Sequence, residues 1–188
     1  MAVEKATHRG GFATRLNGLF KRFRRNREGV TAVEFAIVSI PFFGLFLGII
    51  EVALVFFTSE LIDSGVSEAA RLIRTGQAQT QGLSETNFKE LVCANVVILS
   101  DCESKIKLDV RTYRDFESTE AMLADPIDEN GYLIEDFEYQ PGVGGDIVLV
   151  RVFYEWPMIT PNLGLGPGNL ANGDRLLAST VAFRNEPF

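Results

Sequence analysis

The sequence predicts an α+β fold in which one long N-terminal helix packs on a small antiparallel sheet of about four strands. Three observations support this prediction. An apolar run near the N-terminus is too long for an ordinary core helix, the helical spacing of apolar residues continues beyond it, and the second half of the chain alternates between apolar and polar residues. With 188 residues, the chain has room for one membrane helix and one modest domain.

The apolar run predicts a transmembrane helix over residues 30–57. Within residues 35–55 the only charged side chain is Glu51, and a helix of that length spans about 30 Å, the thickness of the hydrocarbon layer. Residues 1–29 carry a net charge of +6, whereas residues 30–188 carry −13. Because basic residues stay on the cytoplasmic side, residues 1–29 are predicted to be a cytoplasmic leader and residues 58–188 to face outward.

A cleaved secretory signal is the alternative explanation for the N-terminus. The apolar core of such a signal has about 7 to 15 residues, and a small-x-small cleavage site follows it. The run here is longer, its leader is longer, and no convincing site follows. We therefore predict that the helix is retained.

Several residues of this helix are unusual for a simple anchor. Glu34 lies where the apolar run begins; a carboxylate costs up to about 3 kcal/mol at the bilayer centre, so Glu34 needs a partner or must reach the headgroups. Pro41 removes a backbone hydrogen bond, which suits a helix packed in a bundle. Gly44 and Gly48 are one turn apart, a spacing that favours close helix contact but is also common in membrane helices. Glu51 lies about 100° around the helix from Glu34, so the two carboxylates do not pair; it lies near the outer interface or contacts a partner.

Apolar residues keep the helical spacing beyond Phe57, which predicts that the helix continues through residues 58–75 and ends near Gly76. Residues 75–82 are predicted to form a polar loop. Ser84 is predicted to cap a short helix over residues 84–97.

Residues 105–184 are predicted to form mostly antiparallel sheet and loops. The alternating stretches that predict strands are residues 106–113, 132–139, 146–155 and 176–183. The glycines and proline of residues 141–145 predict a hairpin between the second and third of these, and residues 156–173 predict a surface loop rich in proline and glycine.

Cys93 and Cys102 are the only cysteines. In a domain outside the cytoplasm, two cysteines nine residues apart are expected to form a structural disulfide, worth about 3 kcal/mol in the chain-entropy account. Free buried thiols are the alternative.

The sequence offers little catalytic or metal-binding chemistry. Its one histidine, His8, lies in the predicted leader, so the outer domain has no imidazole base or ligand. The glycines of residues 164–168 do not fit a dinucleotide loop, because no helix follows and Pro167 interrupts them. The acidic residues around Gly131 fit a calcium loop poorly, since its first and last ligand positions fall on Pro126 and Phe137. We predict no enzyme activity, cofactor or metal, and the acidic composition of the outer domain argues against nucleic-acid binding, which would need a basic face.

The residues around Gly29 resemble the recognition pattern of prepilin peptidases in type IV pilins and pseudopilins: a basic leader ending in glycine, then an apolar helix with glutamate at the fifth position. The Glu34-Phe35 pair is similar to the tight-adherence (Flp-type) pilus systems. The wider stretch, with residues 48–57 and 67–76 and the closing residues 184–188, is similar to TadE-like pilus-assembly proteins. Phe35 departs from the tyrosine of the major pilins in these systems, which favours a minor pseudopilin.

The resemblance implies a pilin-like fold, with a long helix on a sheet, in the bacterial inner membrane and with its domain in the periplasm. It implies cleavage by a prepilin peptidase after Gly29, so that Val30 becomes the new amino terminus. It also implies that Glu34 pairs with the amino group of a neighbouring pilin. From the residues themselves, Gly44, Gly48 and Glu51 are candidates for contact with another subunit. The alternative is an uncleaved single-pass protein that presents an acidic binding domain.

Overall fold

The computed structural model describes residues 29–99, 101–115, 125–158 and 168–188, so the predicted leader lies outside the described residues except for Gly29. The chain divides into two compact units, one ending at Phe46 and one beginning at Leu47. The helices are α1 (Val30–Arg74), α2 (Gln77–Gln81), α3 (Glu85–Ala94) and α4 (Cys102–Lys105). The strands are β1 (Lys107–Tyr113), β2 (Ile147–Trp156) and β3 (Arg175–Arg184).

The predicted α+β fold, with one long N-terminal helix and a small antiparallel sheet, is confirmed. Helix α1 is 45 residues long and contains Pro41. From Val55 onward, its buried residues recur every three or four positions, which gives the amphipathic half one face for packing. That face joins the helix-side residues of β2 in one apolar core.

Helix α1 ends where the sequence predicted. The amide of Thr75 bonds the carbonyl of Arg71, and Gly76 follows with a φ of +76°, a conformation that glycine adopts without strain. The ring of Phe188 lies against Gly76, so a side chain at this glycine would also meet the C-terminal segment. The predicted polar loop over residues 75–82 was wrong in one respect, because it contains the short helix α2.

The short helix after Ser84 is confirmed as α3. The Ser84 hydroxyl accepts a hydrogen bond from the Asn87 amide at 3.2 Å, and the Asn87 side chain accepts one from the Ser84 amide at 3.3 Å, which forms a capping box. Helix α3 ends at Ala94, earlier than predicted. Cys93 and Cys102 form a disulfide, with 5.8 Å between their Cα atoms.

The sheet has the order β1-β2-β3, and both pairs are antiparallel. The described residues therefore contain three strands rather than four. The missing one is the predicted strand at residues 132–139. Residue Tyr139 forms only an isolated parallel bridge to Val110, with the Val110 amide donating to the Glu138 carbonyl at 2.7 Å.

The predicted hairpin between residues 132–139 and 146–155 was wrong for the same reason. Strand β2 pairs with β1 and β3 instead. The predicted turn is present, since Gly142 and Gly145 have positive φ angles. A turn between two segments does not by itself make those segments pair with each other.

Both faces of the sheet are covered near its centre. The alternating apolar and polar residues of β1 predicted that one face would be exposed to solvent. On one face lies α1; on the other, Phe153 packs with Leu170 and Leu176, next to the half-buried Phe137. Asp109, expected on the solvent side of a half-buried strand, is only 1% exposed. This face is covered because residues 125–140 fold back over it.

Helix α3 packs closely against α1 at Gly65. A Cβ atom at this position would lie 2.5 Å from the carbonyl oxygen of Val92. A backbone oxygen cannot move aside as a flexible side chain can, so the contact depends on glycine. The sequence analysis singled out two other glycines of α1 and missed this one.

Gly65→Ala is therefore expected to lower the free energy of unfolding by about 1–3 kcal/mol, because overpacking outweighs the gain of up to about 1 kcal/mol in helix propensity. The measurement is urea unfolding of the full chain in detergent, followed by fluorescence of Trp156, the only tryptophan. Gly48→Ala is the matched control, since a Cβ there meets no other group within 4 Å. Equal stability of the two variants would contradict the close contact.

Candidate assembly surface on the long helix

The first half of α1 exposes apolar side chains all around its circumference. From Val30 to Ile50 every residue is exposed except Ser39 and Gly48, which are half-buried. Within the described residues, α1 is the one helix that is long and apolar enough to cross a membrane. Such a surface is stable only in contact with lipid or with other apolar helices.

The residues at the predicted cleavage site are accessible at the start of this helix. Gly29 precedes α1 and is exposed, and Val30 is its first residue. Glu34 lies one turn after Val30 and about 40° from it around the helix, and its side chain is exposed. Phe35, next to it, is 71% exposed.

One stripe of α1 combines Glu34 with small or rigid residues. At 100° per residue, Pro41 lies about 20° and Gly44 about 80° from Glu34, on the same side as Val30. A Cβ at Gly44 would meet no other group within 4 Å. We name Val30, Glu34, Pro41 and Gly44 the helix stripe; at Gly44 it gives a second helix room to approach closely on the same side as a carboxylate.

Aromatic residues lie on a different side of the same segment. Phe35, Phe42 and Phe46 fall within about 40° of one another, 80° to 120° from Glu34. The rings of Phe42 and Phe46 stack with 6.4 Å between centroids. The aromatic side of the helix is therefore bulky, whereas the side with Glu34 combines small residues with one exposed branched residue, Ile37, about 60° from Glu34.

Gly48 and Glu51 lie in the second compact unit. Gly48 is half-buried, and a Cβ there would also meet no other group within 4 Å. Glu51 is only 2% exposed, although it was predicted to lie at an interface with headgroups or with a partner. Burial by its own chain removes Glu51 from the surface that a neighbouring subunit can reach.

Among the described residues of the outer domain, the most deeply buried charged cluster is centred on Asp109. Its Oδ2 accepts hydrogen bonds from Nη2 and Nε of Arg151, directly opposite on β2, at 2.5 and 3.1 Å. Its Oδ1 accepts from Nε of Arg111 at 2.8 Å and from the Glu138 amide at 3.1 Å. The cluster thus joins β1, β2 and the segment that covers the sheet.

Burial raises the pKa of Asp109, but the hydrogen bonds from Arg111, Arg151 and the Glu138 amide together outweigh it and hold the pKa below its usual value. The sequence analysis missed this cluster because an alternating Asp and Arg look like solvent-facing residues of a strand. One feature of the sequence could have indicated it: in β2, Arg151 lies among valines, a leucine and a phenylalanine, where an arginine needs a buried partner.

Because the folded-state pKa of Asp109 is depressed, its contribution to stability is present above the unfolded-state pKa of about 3.9 and is lost as the pH falls through the folded-state value. We expect the free energy of unfolding, measured by urea titration from pH 7 to pH 3, to decrease on the acid side. Asp109→Asn should reduce that slope. An unchanged acid slope in this variant would contradict the assigned role.

The acidic residues near Gly131 serve local turns. Oδ1 of Asp128 accepts hydrogen bonds from the amides of Asn130 and Tyr132 at 2.9 and 2.7 Å, and the Asp125 carboxylate accepts one from Ile127. The Tyr132 amide is the main cause of a lowered pKa at Asp128. Among the described residues, no group of three or more potential ligands is arranged to hold a metal ion.

Comparison with known families gives a match to the segment of the chain that contains Gly29, Glu34 and most of α1. The family model described as TadE-like protein matches residues 29–71, from the predicted cleavage site through most of the long helix. The match covers under a quarter of the chain and confirms the resemblance over that segment. No curated protein and no solved structure matches the chain.

Proposed function

Since residues 29–71 match the TadE-like family, we propose that the chain is a minor pseudopilin that takes part in assembly of a tight-adherence type IV pilus. The observation that carries the proposal is that the match begins at Gly29 and covers the whole apolar half of α1. The match over residues 29–71 supports involvement in pilus assembly, and the specific roles below are also our proposals.

We propose that a prepilin peptidase cuts the chain after Gly29, recognising the basic leader and the residues from Val30 to Phe35. This frees the amino group of Val30. In the membrane the leader faces the cytoplasm and the outer domain faces the periplasm, as the charge difference between the two parts favours. The role is structural rather than catalytic.

We further propose that the helix stripe contacts the helix of another pilin. The Glu34 carboxylate then pairs with the free amino group of that neighbour. In an apolar bundle an unpaired charge is strongly unfavourable, so such a pair specifies the register between subunits more than it adds stability. Gly44, and Gly48 one turn beyond it, leave space for close approach.

Gly29→Ala tests the proposed cleavage. We expect the variant to accumulate with its leader attached, as a slower-migrating band on an immunoblot of whole cells. Gly44→Ala is the matched control, a glycine-to-alanine change in the same helix that should be processed normally. Normal processing of Gly29→Ala would count against the assigned site.

A further inference from the structure

We propose that the disulfide-closed loop between α3 and α4 docks on a different protein, with its two outermost apolar side chains in an apolar pocket that has a basic rim. We name these two side chains, Val97 and Ile98, the loop tip. The inference goes beyond the proposed function, because it concerns only residues of the second compact unit and needs neither cleavage nor the helix stripe.

The loop tip is more exposed than its composition would suggest. Val97 is 88% exposed, more than any other large apolar side chain that the structure describes, including those of the apolar half of α1. Ile98, next to it, is 42% exposed. Single exposed apolar side chains are common on protein surfaces, but two adjacent ones on a fixed backbone form a small contact surface.

The backbone is held on both sides of the loop tip. Val96 is 1% exposed and Leu99 is half-buried, and both pack with the main core. The Val96 amide donates to the Cys93 carbonyl at 2.9 Å, and the Leu99 amide donates to the Val96 carbonyl at 3.1 Å. Since Val96 and Leu99 fill the core positions of this loop, the loop tip is left outside.

Two further contacts fix the start and the end of the loop. The disulfide joins Cys93, near the end of α3, to Cys102, the first residue of α4. Nδ2 of Asn95 donates to Oε2 of Glu68, on α1, at 2.8 Å. A loop that is already ordered loses little conformational entropy on binding, so the loop tip is prepared for contact with a partner.

An acidic cavity adjoins the loop tip. It has a volume of about 520 Å³, and Leu99, which directly follows the loop tip, lines it together with the side chains of Glu90, Asp101 and Glu103. Asp101 forms an ion pair with Lys105 at 2.6 Å. Glu90 and Glu103 are exposed, and neither forms an ion pair or a hydrogen bond with another described residue. The cavity therefore places two uncompensated negative charges beside an apolar contact.

Charge decides which kind of partner fits this surface. Residues 30–188 carry a net charge of −13, so repulsion disfavours both a second copy of this chain and an anionic lipid surface. The partner that fits has an apolar pocket for the loop tip and lysine or arginine at the rim, within reach of Glu90 and Glu103. An apolar centre with a polar rim of complementary charge is the usual composition of a protein interface.

The test is photo-crosslinking of the full chain in the cells that produce it. A photoreactive amino acid replaces Val97 or Ile98, and Val143, a valine that is 66% exposed on a different loop, is the matched control position. We expect both tip positions to react with one segment of one different protein. Mass spectrometry of the crosslinked peptide should show apolar residues together with lysine or arginine. Position 143 should not give this product.

A first pair of variants tests the apolar contact. With the photoreactive group at position 98, Val97→Ser should reduce the product about tenfold, because the variant no longer buries a valine side chain in the partner. Val143→Ser, the same change at the control position, should leave the product unchanged. Both valines are exposed, so neither change removes a core contact.

A second pair of variants tests the charge of the partner. Glu90→Lys combined with Glu103→Lys should reduce the product from position 98 about tenfold, because like charges then face each other. Glu129→Lys combined with Glu135→Lys changes the net charge equally at exposed positions elsewhere and should not reduce it.

Products with lipid, with a second copy or with unrelated segments, or no product, would overturn the inference. A product that withstands Val97→Ser, or withstands charge reversal at Glu90 and Glu103, would overturn it as well. Cleavage after Gly29 without the expected products would leave the proposed function intact and overturn this inference alone. The expected products from an uncleaved chain would overturn the cleavage alone.

Discussion

Asp109→Ala is expected to lower the free energy of unfolding by about 3–5 kcal/mol, the largest stability effect that we predict for this protein. The substitution leaves the Arg151 side chain, 7% exposed, without the carboxylate that bonds two of its nitrogens. Removing the carboxylate from a buried ion pair is strongly destabilising. Urea unfolding of the full chain in detergent, followed by Trp156 fluorescence, measures the effect.

Asp136→Ala is the matched control. Its carboxylate also faces Arg111, at 3.6 Å, but it is 86% exposed, so its loss should cost less than about 1 kcal/mol. If Asp109→Ala does not fold, the double variant Asp109→Leu with Arg151→Met should be more stable than Asp109→Ala, because it removes the buried charge that Asp109→Ala leaves on β2, although Arg111 and the Glu138 amide still lose their acceptor. A loss below 1 kcal/mol in Asp109→Ala would show that the cluster is not important for stability.

Glu34→Ala is expected to leave cleavage intact but to prevent the protein from joining the assembly. Without the carboxylate, the amino group of the neighbouring subunit lies unpaired among apolar side chains. A cost of about 3 kcal/mol for such a charge corresponds to about a hundred-fold weaker association. The measurement is the amount of the protein that copurifies with assembled pili, compared with wild type.

Glu60→Ala is the control, an exposed carboxylate on the outward side of the same helix. It should copurify as wild type does. Unchanged pilus formation and incorporation in Glu34→Ala would refute the pairing role of Glu34, while the cleavage site would be unaffected.

The helix and most of the strands were predictable from sequence because their signals are local. Helix α1 was predicted from three signals in one continuous segment. They are its apolar run, the helical spacing of apolar residues up to Ile73, and the glycine at position 76. The alternation of apolar and polar residues that predicts β2 and β3 likewise lies within each strand. The predicted strands at residues 146–155 and 176–183 agree with β2 and β3 to within one residue at each end.

The features that were missed depend on residues far apart in the chain. The contact of Gly65 with Val92 joins two helices, and the pairing of Asp109 with Arg151 joins two strands. The segment at residues 132–139 has a strand-like sequence, but at Val110 it makes only a single bridge. Alternating apolar and polar residues indicate which side chains of a strand share a face. They do not indicate what covers that face or which strands pair.

The first residues of the candidate site could be proposed from the sequence alone, and their roles stay predictions. Gly29, Val30, Glu34 and Phe35 form a short local pattern, and the family match begins at the same glycine. The burial of Glu51, 2% exposed, could not be predicted, because its position in an apolar run does not show what packs against it.

The most direct test of the proposed function is the mass of the mature protein and the sequence of its first peptide, determined by mass spectrometry on protein from the producing cells. The proposal predicts a chain that begins at Val30. An intact leader, or a start at any other residue, would contradict it and would favour an uncleaved single-pass protein that presents its acidic domain outside the membrane.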